Sequence, residues 1–241
     1  MGKRLKSQRR GKGSPTYTAN SHRYKTLSRF RLYDDTERKS KVRGTIMEFI
    51  DDPGKRAIVM RVLFDNHDEA VVVAPEGAAI GQVIEEGADA SLELGNVLPL
   101  RKVPEGIYVC NIEAQPGDGG KFARTPGSYG IIMERDAAAV QLSLPSRKVI
   151  TLSPECRAMV GVISGGGVLE QPMMTAGNQH YKKKAQNRYW PKNRGVKQSA
   201  YTHPHGGKQH HRGKSDMRKR GTPTGGKVGH IAARRVGRKR K

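Results

Sequence analysis

Charge is distributed so unevenly along this chain that it constrains the fold more than any other sequence feature. Residues 1–43 hold 14 Lys and Arg against 3 Asp and Glu, and residues 177–241 hold 20 against the single acid Asp216. Between them, residues 44–176 hold 11 basic and 18 acidic side chains. A net charge of +23 on 241 residues resists compaction unless a polyanion neutralises it. The pattern predicts a mildly acidic, foldable body between two basic arms that bind nucleic acid, with an acidic membrane surface as the weaker alternative.

Three other classes of protein are disfavoured. The longest apolar runs, such as Ala70–Pro75 and Met159–Ile163, are far shorter than the roughly 20 residues of a transmembrane helix. The basic N-terminus has no apolar stretch behind it, which argues against a secretory signal. Cys110 and Cys156 lie far apart within apolar runs, so we expect two buried thiols in a reducing, cytoplasmic compartment and no disulfide.

The body carries nearly all of the strand-like patterning. Short runs rich in Val and Ile recur at roughly 8–12-residue spacing between turn residues, which favours small β-barrels or sandwiches over βαβ units. The predicted strands are Val42–Ile50, Ala57–Phe64, Glu69–Ala74, Ile80–Ile84, Ile107–Ile112, Gly130–Glu134, Ala138–Leu144, Lys148–Leu152 and Ala158–Ile163. The loop Gln115–Gly120 is the best boundary between two such units. We therefore predict arms over residues 1–41 and 177–241, with barrels over residues 42–114 and 115–176.

The arms combine charge with aromatic side chains. They show no sustained apolar period, so we expect them to be largely disordered alone in water, with helical character over Thr175–Gln186 and Val228–Val236. Lys and Arg supply phosphate contacts, and aromatic rings can stack on exposed bases. This combination favours RNA over a solvated tail without a specific ligand. The aromatic residues are Tyr17, Tyr24, Phe30, Tyr33, Tyr181, Tyr189, Trp190 and Tyr201.

Histidines cluster near the end of the chain, at His203-Pro204-His205 and at His210-His211. Imidazoles can bind Zn or Cu, but no Cys is near and the many surrounding cations would repel a metal ion. Asp216 is the only nearby acid, so no adjacent carboxylate orients a catalytic imidazole. We therefore predict a turn that contacts nucleic acid, with no metal, no cofactor and no catalytic residue.

Two glycine-rich loops, Pro116–Lys121 and Gly165–Gly167, could be mistaken for phosphate-binding loops. Neither matches G-x-x-x-x-G-K-[ST], so we interpret the first as an interdomain turn and the second as a flexible exit from the last strand. The carboxylates of the body form no spaced pair with a base that would indicate hydrolysis. Most are expected on a solvated face, among them Asp51, Asp52, Glu85 and Glu86.

A series of short motifs runs along essentially the whole chain. They are QRRGKG (8–13), SHRYK (21–25), APEG (74–77), GNVLPL (95–100), VPEG (103–106), PGDGGKFAR (116–124), ECRAMVGVISGGG (155–167), AGNQHYKKKA (176–185), WPKNRGV (190–196), HPHGG (203–207) and GTPTGGKVGHIAARRVGR (221–238). In this order they resemble the universal family of ribosomal large-subunit protein two. The short basic N-terminus and the KVGHIAARR ending are similar to its archaeal–eukaryotic branch, and the length is similar to archaeal members.

The resemblance implies a mainly β fold, with an OB-like barrel followed by an SH3-like barrel and flanked by extended basic arms. It implies a structural constituent of the large ribosomal subunit, not an enzyme, that binds large-subunit rRNA near the peptidyl-transferase region. The implied roles are support of subunit association, tRNA binding and peptide-bond formation, with the chemistry carried by RNA. The implied partners are rRNA, other ribosomal proteins and a bridge to the small subunit, with no membrane and no small-molecule substrate.

The resemblance maps the first histidine of the family's H-P-(H/F)-G-G turn onto His203, in a loop directed toward the peptidyl-transferase region. We expect a structural turn histidine bonded to backbone or to RNA phosphate. The family commonly has R-G-V-A-M-N-(P/A)-V-D-H-P before this turn. Here Gln198-Ser199 replaces Met-Asn and Thr202 replaces Asp, so contacts through that carboxylate or amide are not expected. Lys197 and Tyr201 can instead add a phosphate contact and a stacking surface.

Residue type and resemblance together select the RNA-contacting candidates. In the first arm they are Arg9, Arg10, His22, Arg23 and Tyr24, and on the body they are Lys121 and Arg124. In the second arm they are His180, Lys182, Lys183, Lys184, Trp190, Arg194, His203, Arg234 and Arg235.

Two other functions compete with rRNA binding. A protein that compacts double-stranded DNA would use the same charge, but it would need a compact dimer or helices that enter a groove, and neither is evident in the sequence. An RNA-processing enzyme would use the histidine cluster or the body carboxylates, and its turnover would vanish on His203→Ala.

Overall fold

The computed structural model describes residues 3–207, 211–212 and 215–235. The chain divides into two compact units. One unit, here called the barrel unit, consists of residues 21–172, and the other, the arm unit, combines the described parts of residues 1–20 and 173–241. No described helix is long and apolar enough to cross a membrane.

The barrel unit is built almost entirely of strands. They are β1 (Lys41–Ile50), β2 (Val59–Phe64), β3 (Glu69–Val73), β4 (Val83–Gly87), β5 (Val97–Pro99), β6 (Tyr108–Cys110), β7 (Gly130–Arg135), β8 (Val140–Ser143), β9 (Val149–Leu152) and β10 (Arg157–Val160). The arm unit adds the short strands β11 (Met217–Arg218) and β12 (His230–Ile231). The α-helices of the described residues are α1 (Lys6–Arg9), α2 (Asp35–Lys39) and α3 (Ala176–Ala185). Short 3-10 turns span Arg10–Lys12, Ser21–Arg23, Leu100–Lys102, Gly166–Leu169, Gly195–Lys197 and Thr224–Gly226.

The ten strands of the barrel unit form one sheet in the order β3-β2-β1-β4-β5-β10-β6-β7-β8-β9. All neighbours are antiparallel except β4 and β5, which run parallel. A bulge between Ile46 and Glu48 lets β1 pair with β2 while its first half also pairs with β4. A second bulge between Ile132 and Glu134 interrupts β7. Bulges of this kind bend a strand and raise its twist, which curls the sheet toward barrels.

Two hydrophobic cores lie in the barrel unit. The first includes Ile46, Phe64 and Ile84, and the second includes Val109 and Leu142. Burial in β2 and β8 alternates along the strand, as expected when one face packs on a core and the other meets solvent. This architecture confirms the predicted mainly β fold class of an OB-like barrel followed by an SH3-like barrel, with the basic segments outside the sheet.

Each predicted strand is present, with ends that differ by a few residues. Strand β5 was not predicted, because three residues that end in proline carry no readable alternation. The predicted helix over Thr175–Gln186 is confirmed as α3. The helical expectation for Val228–Val236 is wrong for its described part: Gly229 has φ +72° and β12 pairs in parallel with β11, while Val236 lies outside the described residues. Both cysteines are fully buried and unpaired, as expected.

A buried ion-pair network holds residues 30–37 against the sheet. On β10, Arg157 Nη2 donates to Glu113 Oε1 and Arg157 Nη1 donates to Glu37 Oε1, both at 2.8 Å. The side chains of these three residues are at most 1% exposed. The rings of Phe30 and Tyr33 lie 5.4 and 4.6 Å from the Arg157 guanidinium. The network therefore ties α2 to a strand more than a hundred positions away.

The expectation of a solvated acidic face is wrong for Asp52 and Glu86, which are 1% and 0% exposed. Neither carboxylate oxygen of Glu86 has a hydrogen-bond partner among the described residues. Burial, with the nearby negative charge of Glu37, raises the pKa of Glu86 to about 8. Asp52 is instead fully hydrogen-bonded, and these bonds hold the pKa of its carboxyl well below its usual value despite burial.

Candidate RNA-binding surface

In the barrel unit, the predicted contacts His22, Arg23 and Tyr24 lie on an exposed turn that Asp52 fixes to the β1–β2 hairpin. Asp52 Oδ2 accepts hydrogen bonds from the backbone N–H groups of the two residues after Tyr24, at 3.2 and 2.9 Å. Asp52 Oδ1 accepts one from the N–H of Gly54 at 2.7 Å. A Cβ on Gly54 would lie 2.6 Å from the Tyr24 ring, so the ring packs directly over the turn yet stays 47% exposed. The three side chains are therefore presented on a firm support.

Lys121 and Arg124 follow the glycine-rich loop, and they differ in exposure to solvent. Lys121 is exposed, whereas Arg124 is half-buried. The Arg124 guanidinium donates to the carbonyl oxygens of Gly120 at 2.9 Å and Ser28 at 2.6 Å. Burial lowers the pKa of Arg124. Arg124 therefore has an internal structural contact, and its contact with RNA stays a prediction, as does that of Lys121.

The glycine-rich loop itself wraps a carboxylate. Glu113 accepts hydrogen bonds from the N–H groups of Gly117 at 3.1 Å and Gly119 at 3.0 Å, and the same carboxylate binds Arg157. Gly120 has φ +91°, and a Cβ there would lie 2.8 Å from Asn111 Cγ. The loop is thus occupied by an internal anion, which agrees with the sequence interpretation that it is not a phosphate-binding loop.

In the arm unit, the first basic segment packs on the second. The Gln8 side chain donates to the Thr224 carbonyl at 2.7 Å, and the Asn20 side chain donates to the Ala185 carbonyl at 2.7 Å. Lys3 and Lys6 lie over the rings of Tyr201 and Tyr189, at 4.9 and 4.4 Å from the ring centroids. These contacts leave the predicted contacts Arg9 and Arg10, at the end of α1, exposed to solvent.

Helix α3 carries His180 and Lys182, Lys183 and Lys184 but buries none of its residues. Its first turn is capped by Thr175, whose side chain accepts from the N–H of Asn178. The His180 ring lies 6.3 Å from the partly buried Trp190 ring, so the structure brings these two predicted contacts together. Lys184 is exposed and Lys182 and Lys183 are half-buried, so all three lie on a helix without a buried face, where an anionic partner can reach them.

Residues of the histidine turn surround a cavity of about 580 Å³ in the arm unit. The predicted contacts Arg194 and His203 line it. His203 Nδ1 accepts a hydrogen bond from the N–H of His205 at 3.1 Å. Burial, and to a lesser extent His205, lowers the pKa of His203. A neutral His203 with Nδ1 as acceptor carries its proton on Nε2 and can donate it to a ligand.

His205, which belongs to the predicted turn, also lines this cavity, together with three residues that the sequence did not mark as contacts: Arg212, Asp216 and His230. No spacing motif links them, because the turn and β12 meet only in three dimensions. Among the described residues, no group of three or more His, Cys, Asp or Glu side chains is arranged to hold a metal ion. His210 lies outside the described residues. Arg234 and Arg235, near the end of the described chain, are exposed.

Two small barrels with exposed cations and aromatic rings on their basic extensions define a structural RNA-binding protein. A family model described as "Ribosomal Proteins L2, RNA binding N-terminal domain" matches residues 2–86, and "Ribosomal Proteins L2, C-terminal domain" matches residues 93–226. The chain therefore belongs to the ribosomal protein L2 family of the large subunit, which is a family of structural proteins and not of enzymes.

Archaeal relatives match along almost the full chain. The large ribosomal subunit protein uL2 of Methanopyrus kandleri is 48% identical over 239 residues, which cover 99% of this chain and 98% of the relative. The uL2 proteins of Methanococcus aeolicus and Methanococcus maripaludis are each 47% identical over 240 residues, covering 99% of this chain and 100% of the relatives. These matches confirm the archaeal-type resemblance that the motifs indicated.

Proposed function

We propose that this chain is a structural constituent of the large ribosomal subunit that binds large-subunit rRNA near the peptidyl-transferase region. Its barrels dock on the RNA through selected loops, and its basic segments run between RNA helices. In this position it supports subunit association, tRNA binding and peptide-bond formation, while RNA carries the chemistry. Its partners are rRNA, neighbouring ribosomal proteins and, through a bridge, the small subunit of the cytoplasmic ribosome.

The observation that carries the proposal is the crowding of exposed cations outside the sheet. Residues 177–241 hold 20 Lys and Arg and one acid, and α3 carries three consecutive lysines on a helix that buries none of its residues. Such like charges repel one another in water. A nucleic acid removes this repulsion because its phosphates pair with the Lys and Arg side chains, and the release of its counterions favours binding. The family model over residues 2–86 is that of an RNA-binding domain, which supports RNA as the polyanion.

The predicted contact residues divide into phosphate-binding and stacking groups under this proposal. The exposed cations of α1, of α3 and of residues 234–235 neutralise phosphates, and they set register without reading sequence. Tyr24 and Trp190 offer rings for unpaired bases. Tyr24 suits this role because its ring is held against Gly54 and remains 47% exposed.

The placement near the peptidyl-transferase region rests on the turn His203–Gly207, which resembles the family's H-P-(H/F)-G-G turn. His203 supports a contact of this turn with RNA, because its Nδ1 accepts a hydrogen bond within the turn and its Nε2–H can donate to an RNA oxygen. This role positions RNA and is not catalytic.

Sedimentation tests the proposal directly. We expect the chain to travel with the large subunit through a high-salt gradient, and release into the free-protein fractions would contradict a structural role.

A binding assay tests which class of nucleic acid the chain prefers. At ~0.2 M salt, where nonspecific phosphate binding weakens strongly, a large-subunit rRNA fragment should bind far more tightly than duplex DNA. Equal affinities would favour a DNA-compacting protein.

Directed hydroxyl-radical probing tests the finer placement. Cys110 and Cys156 are fully buried, and burial raises their thiol pKa to about 12 and about 11, so both resist labelling. Ser199 is exposed beside the histidine turn, and Ser199→Cys offers a reactive thiol for a tethered iron chelate. We expect rRNA cleavage around the peptidyl-transferase region. Cleavage confined to distant rRNA would place the turn elsewhere while leaving rRNA binding intact.

A further inference from the structure

Five basic side chains line the cavity of the arm unit, and the two arginines among them are permanently charged. Arg194, His203, His205, Arg212 and His230 line it, and all of them belong to the second basic segment. Its volume of about 580 Å³ lies within the range of about 300–1,000 Å³ that is typical of small-ligand sites. A single phosphate group would fill only a fraction of this space, so the cavity has the size of a larger anion.

Asp216 contacts two of these basic side chains. It is the only acid in residues 177–241, and its carboxylate pairs with Arg212 and lies 2.9 Å from His205 Nε2. The Asp216 carbonyl also accepts a hydrogen bond from the N–H of His230 at 2.8 Å. One carboxylate cannot neutralise both Arg194 and Arg212, so a surplus of positive charge faces the cavity.

Asp216 holds His205 in place. The His205 side chain is 9% exposed, and its Nε2 lies 2.9 Å from Asp216 Oδ1. His203, on the same turn, offers a donor to a ligand, because its Nδ1 accepts from the N–H of His205 and its proton is then on Nε2.

The lining of the cavity also includes apolar side chains. Val196 and Val228 belong to it, and Val228 is 8% exposed. Gly195 allows the His203 ring to lie against the backbone, since a Cβ at that position would be 2.7 Å from His203 Nε2. A lining that combines two arginines with small apolar groups suits a ligand that is half phosphate and half planar base.

We propose that this cavity binds one unstacked nucleotide of the RNA, with its phosphate toward Arg194 and Arg212 and its base toward Val196 and Val228. The inference rests on the proposed function, because it assigns one subsite of the RNA that the chain binds. The chemistry it requires is that of a nucleoside 5′-phosphate. Asp216 acts as a positioning residue that holds Arg212 and His205 in place before the nucleotide enters.

The test uses the full chain with 15N-labelled histidine and adenosine 5′-monophosphate as the probe, at ~0.2 M salt to suppress nonspecific phosphate binding. We expect saturable shifts of the His203, His205 and His230 side-chain resonances, and none for His22, His67 and His180. Inorganic phosphate and adenosine, added separately, should each bind at least about tenfold more weakly, because each lacks one half of the ligand. Shifts spread over all of these histidines, or no saturable shift, would overturn the proposal.

Two matched pairs of variants test separately the arginine charge of the cavity and the space within it. Arg212→Gln should weaken adenosine monophosphate binding by at least about tenfold, whereas Arg220→Gln, an exposed arginine outside the cavity lining, should change it by less than about twofold. Gly195→Ala should abolish binding at unchanged charge, whereas Gly221→Ala, with no atom within 4 Å of its added carbon, should leave it intact. Equal effects within either pair would contradict the site.

Competition with RNA identifies the source of the nucleotide. A saturating large-subunit rRNA fragment should abolish the shifts induced by adenosine monophosphate, because an RNA nucleotide then occupies the cavity. Continued binding of adenosine monophosphate in the RNA complex would overturn the RNA assignment in favour of a free nucleotide. A chain that binds rRNA tightly but no mononucleotide defeats this inference alone, and a chain that fails to bind rRNA defeats the proposed function.

Discussion

Two neighbouring glutamates in this protein show how the surroundings of a carboxyl group change its pKa. Glu85 and Glu86 are neighbours on β4, yet Glu85 accepts from Lys41 Nζ at 2.7 Å while Glu86 is buried with no hydrogen-bond partner among the described residues. The pKa of Glu85 falls to about 2, mainly through its bond with Lys41, and the pKa of Glu86 rises to about 8 through burial. Two identical residues therefore contribute to stability with opposite dependence on pH.

Glu86→Gln is expected to stabilise the chain in alkaline solution. In the wild type, Glu86 stays protonated in the folded state but ionises on unfolding, so stability is lost as pH rises from about 4.5 toward about 8. The variant escapes this loss, and its advantage should grow by up to about 1.4 kcal/mol per pH unit across that window. Urea unfolding followed by far-UV circular dichroism at pH 5 and pH 8.5 measures the difference.

The adjacent variant Glu85→Gln is the control with the opposite sign. The depressed pKa of Glu85 stabilises the fold above pH 4.5, and this contribution disappears as pH falls through about 2. Glu85→Gln should therefore cost stability at neutral pH and nothing near pH 2. If Glu86→Gln kept a constant offset from the wild type at all pH values, a buried, protonated Glu86 would be refuted.

Arg157→Lys is expected to destabilise the chain by roughly 1–3 kcal/mol, the cost of leaving a buried acceptor without its hydrogen bond. The guanidinium bonds Glu113 and Glu37 at once, and a single ammonium cannot reproduce that fork. Arg101→Lys is the matched control, because Arg101 pairs with Glu155 at 2.8 Å but is 43% exposed and should cost less than about 1 kcal/mol. Equal losses in the unfolding free energy would show that the network is not structural.

Individual strands and loops depend on contacts outside themselves. The short strand β5 exists because β10 pairs with it from Val97 to Pro99, while β4 supplies a single parallel pair. The glycine-rich loop is bonded internally through Asp118, which accepts from the N–H groups of Ala114, Gln115 and Gly120. Glu113, which also binds Arg157 on β10, accepts two more N–H groups of the loop and so fixes its position. The strand β5 and the placement of the loop are therefore consequences of the assembled sheet.

Gly120→Ala is expected to destabilise the glycine-rich loop more than Gly106→Ala destabilises its own turn. Both residues have positive φ, +91° and +80°, so both alanines bear a similar backbone cost of about 1–2 kcal/mol. Only at Gly120 does the new carbon also collide with Asn111, which adds about 1–3 kcal/mol of overpacking. Thermal unfolding of the two variants gives the comparison. An equal fall in Tm would show that the contact between Gly120 and Asn111 adds no cost.

Across the entire chain, charge and packing are separated between segments. The barrel unit holds both hydrophobic cores, and the helix α3 of the arm unit buries nothing. The electrostatic part of the affinity for RNA should therefore come mainly from the arm unit, while stability comes mainly from the barrel unit.

Replacing Lys182, Lys183 and Lys184 with Gln is expected to lower the slope of log K against log salt for rRNA binding by about 2, at ~0.7 per lost phosphate contact. Circular dichroism of the strands should not change, because α3 packs no buried residue. The charge-matched control replaces three exposed cations of the barrel unit, Arg56, Lys102 and Lys148, and should leave the slope nearly unchanged. A larger effect in the control would move the RNA-binding surface onto the barrels.

Local patterns were sufficient for nine of the ten strands of the barrel unit, for the helix α3 and for the division into an acidic body and basic segments. These features depend on neighbours in the chain: alternation marks a half-buried strand, and like charges in a run exclude a core. The RNA-contacting residues were chosen by type and motif, and most of them are exposed. Their contacts with RNA remain predictions.

Contacts between distant residues were decided only by the tertiary structure. Burial of Glu86 beside Arg157, the contact of Asp216 with His205, and the meeting of β11 with β12 join positions that no period or spacing connects. A carboxylate has the same sequence signature whether it faces water or a core, and its environment is set by what folds against it. For this reason the charge of the basic segments was readable from the sequence, while the cavity within them became visible only when the chain was folded.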